Sequence, residues 1–385
     1  MGRSLLERFR IEVAEEVLED LRERLARTRF PDQVEGAGWA YGTELSYLKE
    51  LCEYWREHFD WRAQEAALNR YDQFTTTIDG QKLHFVHACS QQPGARPIVI
   101  THGWPGSVFE FTKIIEPLID PVAHGGKAED AFHVICPSMP GYGFSGPTRE
   151  PGWDVQRVAE AEIELMKQLG YQRYGAQGGD WGAIVATQIG RLDPDHCCGI
   201  HLNMPMALPP PGGDPREGLS DREKANLDAT EFFQAQEAGY QQIQGTKPQT
   251  LGYGLNDSPA GLAAWIVEKF RTWSDCDGEV EKVFSKDELL ANITAYWVTE
   301  TINSSVRLYY ESMRSGRAGF TQGRVEVPTG CAIFPKELYR PPRKWVDRHY
   351  NVTRWTEMEI GGHFAALEQP ALLVDDMRAF FAELR

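Results

Sequence analysis

No apolar run in this sequence is long enough to cross a bilayer, no cysteine pair has a metal-binding spacing, and positive charge is scarce. Each shortage excludes something. With 40 basic residues against 56 acidic ones the formal net charge is −16, which repels phosphate backbones and anionic lipid, so neither nucleic acid nor a membrane surface is expected as a partner. The seven cysteines are odd in number, and adjacent Cys197 and Cys198 suit neither a zinc knuckle nor a disulfide. They read as reduced, mostly buried thiols of a cytoplasmic protein. His84 and His87 fall on opposite faces of a strand pattern and make no metal site. HExxH, Walker A and GxGxxG elements are absent. The opening MGRSLLERFRIEVAEEV has no signal-peptide core, and Leu6 stands where a myristoylation signal needs Ser or Thr. A soluble protein without a membrane anchor is expected.

What is present has a clear order. At 385 residues the chain exceeds the usual single domain, so a large core with an elaboration is expected. Residues 13–27 put Val17, Leu18, Leu21 and Leu25 on one helix face, and ELSYLKELCEYWREHF does the same with Leu48, Leu51, Cys52 and Trp55. Residues 1–72 therefore read as a helical leader. From Phe74 the period changes to two, on both sides of Asp79-Gly80, a hairpin signal. PIVITHGWPG and AFHVICPSMPGYGFSG are buried strands running into glycines, and helices alternate with them, so residues 73–205 predict a mostly parallel α/β sheet. The pattern then stops. Residues 206–322 begin with ALPPPGGDP and continue as helices rich in aromatics, a cap inserted between core halves. Strands return at VEVPTGCAIFP and VTRWTEMEI within 323–385.

Within that order, GAQGGDWGAIVA is informative. Gly178-x-Asp180-x-Gly182 follows a strand and precedes a helix, where an α/β-hydrolase carries its nucleophile elbow, with Asp replacing the usual Ser. Alone, an Asp after Gly-Gly is a turn residue or helix cap. The remaining stations of such a fold are also occupied, in chain order nucleophile, acid, histidine. Glu337 in FPKEL and His363 in EIGGHFAALE each follow a returning strand. HGWPGS ends a buried strand, so the backbone N–H groups of Trp104 and Trp181 are the expected oxyanion hole. His102 reads as structural. A carboxylate nucleophile suits displacement at an alkyl carbon, and His363, oriented by Glu337, would activate water against the resulting ester.

GYQQIQGTKPQTLGYGLNDSPAGLAAWIVEKFRTWSD (239–275), YWVTETINSSVRLYYES (296–312), HGWPGS, GGDWG, FPKE and GGHFAALEQP closely resemble the microsomal-type epoxide hydrolases, over nearly the whole chain. The resemblance implies an α/β-hydrolase fold, Asp180 as nucleophile, His363 as base and Glu337 as charge-relay acid. It also implies that Tyr240 and Tyr309 hold the epoxide oxygen, the SSVRLYY spacing favouring Tyr309 over Tyr310. No cofactor beyond water is implied. The family's membrane-anchoring segment has no counterpart here, and the Ala-, Arg- and Gly-rich composition suggests a bacterial source. The expected reaction converts a bulky apolar or aromatic epoxide to a vicinal diol, in detoxification or secondary metabolism. Two rivals are a haloalkane dehalogenase, disfavoured by the cap tyrosines and the Glu337 station, and a binding protein on the same scaffold, disfavoured by the intact triad. The sequence leaves homodimer formation open.

Overall fold

The change of hydrophobic period near Phe74 marks the entry into the sheet in the computed structural model, which describes residues 6–316 and 323–384. Nine strands make one sheet: β1 (Glu7–Phe9), β2 (Gln73–Ile78), β3 (Gln81–Ala88), β4 (Arg96–Thr101), β5 (Phe132–Pro137), β6 (Tyr174–Gly178), β7 (Cys197–Leu202), β8 (Val325–Ile333) and β9 (Tyr350–Glu357). Asp79 and Gly80 both take positive φ, 50° and 73°, the twist that closes a two-residue hairpin between β2 and β3. The spatial order is β1-β2-β3-β5-β4-β6-β7-β8-β9. Pairing is antiparallel from β1 to β5 and parallel from β5 to β9.

This order positions the site. The chain winds outward from β4 to β5, then returns past β4 to β6, so successive connections leave the sheet in opposite directions. A crevice opens at the carboxyl ends of the two strands flanking such a reversal. Those ends pair Thr101 with Gly178, immediately before His102 and Gly179.

The expected leader helices form at Glu15–Ala26 and Leu45–Glu57, joined by a third at Trp61–Asn69. The leader is not wholly helical, because Glu7–Phe9 adds an edge strand beside Phe74. Three residues are too few to display a period of two, so nothing local announced it. Leu21, Leu25, Leu51 and Trp55 share one apolar cluster with Leu262 and Ile266 of the inserted helices. Thr43 donates to the Ala264 carbonyl (2.7 Å) and Tyr54 to Asp287 (3.0 Å) at the same contact. The insert between β7 and β8 is helical, and Ser220 and Ser285 begin two of its helices with reciprocal capping by Glu223 and Glu288. Among the described residues no helix is long and apolar enough to cross a membrane. All seven cysteines are free thiols, and all but Cys89 are buried.

One core acid departs from the apolar rule. Glu162, on the helix Val155–Gln168, is fully buried and accepts a hydrogen bond from Thr101 Oγ1 (2.7 Å), and burial lifts its pKa to about 8. The unfolded chain ionises this group near its ordinary value of 4.5. Folding therefore takes up a proton between these values, and stability falls as pH rises across that window. Glu162→Gln removes the ionisation. We predict that this variant gains thermal stability relative to the wild type as pH is raised from 5 to 8. A melting-temperature difference that stays constant over this range would contradict the assignment.

Candidate active site

Between β6 and the helix Asp180–Leu192 the backbone turns so sharply that Asp180 adopts φ 49°, a left-handed conformation costing a non-glycine residue about 1–3 kcal/mol. Neighbouring glycines make room for it. A Cβ on Gly178 would stand 2.1 Å from the Gly182 carbonyl oxygen, and one on Gly182 would stand 1.9 Å from the Thr101 carbonyl oxygen. The Asp180 side chain is thereby raised above the sheet, at the positive end of a helix.

Two groups meet that carboxylate, and a third backs one of them. The Trp104 N–H donates to Oδ1 at 2.7 Å, while Oδ2 lies 3.3 Å from His363 Nε2. Behind the imidazole, Nδ1 bonds Glu337 Oε1 at 2.6 Å. Glu337 and His363 come from the loops after β8 and β9. Those loops are tied by the Lys336 N–H to the Gly361 carbonyl (3.1 Å), so Lys336 contributes through its backbone. His363 and Glu337 are both buried. Burial opposes charge on the imidazole, but the charges of Glu337 and Asp180, with hydrogen bonds from the imidazole to both, outweigh it and raise the pKa of His363 well above 6.5.

The inserted helices supply the roof. Tyr240 (Gly239–Thr246) stacks on Trp104 with ring centroids 5.4 Å apart, and Tyr309 (Ile302–Ser315) meets Trp181 edge-on at 4.7 Å. The two phenol rings are 5.9 Å apart. Burial raises both phenol pKa values well above 10 and the charge of Asp180 adds to the rise, so both stay protonated donors at neutral pH. Tyr310 is partly exposed and stacks on Arg314. Trp181 lies in the first helical turn, where amides lack an intrahelical partner. Of the two expected amide donors, Trp104 is the one hydrogen-bonded to Asp180 among the described residues. The His102 ring is spent on backbone: Nδ1 donates to the Gly103 carbonyl (2.9 Å) and Nε2 accepts from the Met139 N–H (3.2 Å). Burial pushes its pKa down to about 4.

Other residues complete the site without having been legible beforehand. Asn292 Nδ2 donates to the Pro105 carbonyl and Ser107 Oγ to Asn292 Oδ1, both at 2.7 Å, and Tyr296 donates to the Gly106 carbonyl at 2.6 Å. Thus one inserted helix, Lys286–Val298, clamps the loop that carries Trp104. Asn292 and Tyr296 share a helix face at i, i+4, but nothing in the surrounding LLANITAYWV sets them apart. Tyr142, edge-on to His102, has a buried hydroxyl without a hydrogen-bond partner among the described residues.

A strand–Asp–helix elbow, a buried histidine–glutamate pair behind it and a helical insert overhead define a hydrolase of the α/β-hydrolase fold. Residues 96–243 match the family described as alpha/beta hydrolase fold, and residues 6–111 match the one described as Epoxide hydrolase N terminus. The chain belongs to the epoxide hydrolase family. A protein from Stigmatella aurantiaca is 48% identical over 378 residues, spanning 98% of this chain and 85% of its own. Epoxide hydrolase 1 from Sus scrofa is 41% identical over 408 residues, spanning 98% and 88%. The crystal structure of juvenile hormone epoxide hydrolase from Bombyx mori superposes with a TM-score of 0.91 at 33% identity, covering 99% of this chain and 95% of that one.

Two glycines should respond differently to the same added methyl group. In Gly182→Ala the methyl meets backbone that cannot yield, and the loss of stability should be about 3 kcal/mol or more. At Gly103 a Cβ would stand 2.2 Å from Asp180 Oδ1, a side-chain atom that can swing away. Gly103→Ala should therefore stay folded while losing activity. Urea titration with parallel activity assays reads both; equal destabilisation of the two variants would contradict this account of the elbow.

Proposed function

We propose that the chain opens apolar epoxides to vicinal diols through an ester formed on Asp180. The observation that carries the reading is the division of labour on one carboxylate. Oδ1 is held by the Trp104 N–H, and Oδ2 is left towards His363 under two protonated phenols. Asp180 Oδ2 attacks an epoxide carbon and the ring C–O bond breaks. The released oxygen takes a proton from Tyr240 or Tyr309, since an alkoxide is too poor a leaving group to depart unaided. The histidinium then returns a proton to the tyrosinate. Alkylation has removed the Asp180 charge that held that proton, so the imidazole becomes a base at the moment one is required.

His363 next takes a proton from water, whose oxygen bonds to Asp180 Cγ. The negative charge collects on Oδ1 at the Trp104 N–H, and the Trp181 N–H is its second proposed donor; one such donor is worth roughly 3–4 kcal/mol. Collapse breaks the ester bond and the departing alkoxide takes the proton of the new carboxyl group. Water and the chain's own side chains suffice for every step. Trp104, Trp181, Trp273 and Phe364 surround the triad and favour apolar or aromatic substituents. The names of the relatives support an epoxide as substrate, and the unpaired thiols support a reducing compartment such as the cytoplasm. A dehalogenase is not favoured, because a halide departs without a proton and gives the phenols no task.

His363→Gln should form the ester and fail to release it. Incubated with styrene oxide, this variant should gain the mass of one substrate on the peptide containing Asp180, while the wild type makes diol. Diol formation by His363→Gln at the wild-type rate would contradict the proposed base.

A further inference from the structure

We infer that Glu110 holds the hydrolytic water in the cavity beside Asp180, accepting from it the hydrogen that His363 does not take. The inference rests on the ester proposed above and concerns its second step. Trp104, Glu110, Asp180 and His363 all line one cavity of about 20 Å³. That is room for the centre of about one water molecule. The wall is completed largely by Phe364, Ala365, Ala366 and Leu373, which offer no side-chain polar atom.

A water poised for attack needs acceptors for both hydrogens, with its lone pair towards Asp180 Cγ. His363 Nε2 is one acceptor once the imidazole is neutral. Other polar side chains on the wall already have hydrogen-bond partners. Thr101 Oγ1 donates to Glu162 (2.7 Å), the Gln177 amide donates to Asn203 (3.0 Å), and both His102 nitrogens bond backbone. The Glu110 carboxyl group lines the same cavity, takes one hydrogen bond from the Ser107 backbone, and keeps its remaining lone pairs for the water.

Its position is built rather than incidental. Glu110 sits on the short helical turn Val108–Phe111, and a Cβ on Gly106 would fall 1.2 Å from Glu110 Oε1. The carboxyl group therefore fills the space over Gly106, in the loop whose Trp104 N–H holds Asp180. Asn292 and Tyr296 clamp that same loop from above. Burial lifts the Glu110 pKa to about 8, with His363 lowering it and Asp180 raising it. The group thus stays neutral at pH 7 and places no second anion beside the nucleophile. A neutral carboxyl still accepts through its carbonyl oxygen. In the step itself the water gives one proton to His363 and its oxygen to Cγ, while Glu110 ends unchanged.

The test separates ester formation from ester hydrolysis in single turnovers with styrene oxide, followed by rapid quench and intact-protein mass. Glu110→Ala should slow hydrolysis by about 10²-fold, the scale of a misplaced reactant, and leave ester formation within about threefold. The ester should then accumulate. Glu110→Gln keeps a neutral carbonyl acceptor and should restore most of the hydrolysis rate. Wild-type hydrolysis in Glu110→Ala, equal slowing of both steps, or a Glu110→Gln variant as slow as Glu110→Ala would each overturn the assignment. A wild-type protein and His363→Gln that both never show the adduct would end the ester reading instead, a distinguishable result.

Discussion

Everything in the site depends on a backbone conformation that the residue adopting it disfavours. Asp180 takes a left-handed φ in a turn between β6 and its helix so tight that a Cβ on Gly178 or Gly182 would collide with backbone. The cost of that turn is small beside the burial that surrounds it, and its return is placement. One carboxylate oxygen faces a fixed amide and the other an imidazole. A freely rotating aspartate would have to be ordered at each turnover. Here the ordering is done when the chain folds.

The second constraint is electrostatic and changes during the reaction. Two acids face His363 and raise its pKa against the penalty of burial. In the proposed reaction, esterification of Asp180 neutralises one of them and turns the same histidine from the partner of an anion into a base. Glu110 and Glu162 show the opposite case, carboxyl groups whose pKa burial lifts to about 8. The roof is linked to this arrangement mechanically. Asn292 and Tyr296 grip the loop of Trp104, and the Trp273 carbonyl accepts the His363 N–H at 2.9 Å, so the inserted helices hold both ends of the triad.

How much of this was legible in the sequence follows the range of the interactions. The Asp79-Gly80 hairpin, the buried strand before His102 and the elbow at Asp180 are written in adjacent residues, and each formed where expected. Glu337 and His363 were legible at longer range because chain order within the fold assigns them stations after β8 and β9. The clamp of Asn292 on Pro105 was not, since it joins residues 187 positions apart and neither is unusual in its own segment. Glu110 was hidden for a related reason. An acid in SVFEF looks like a surface residue until the glycine beneath it is seen to be carrying its carboxyl group. The edge strand Glu7–Phe9 was too short to show a period.

The central claim is that the oxygen delivered to the diol comes from Asp180 and is replaced there by water. A single turnover in ¹⁸O-labelled water, with excess enzyme over styrene oxide, tests it directly. The account predicts unlabelled diol in that first turnover and one ¹⁸O atom in the peptide carrying Asp180. Labelled diol from the first turnover, with an unlabelled peptide, would contradict it.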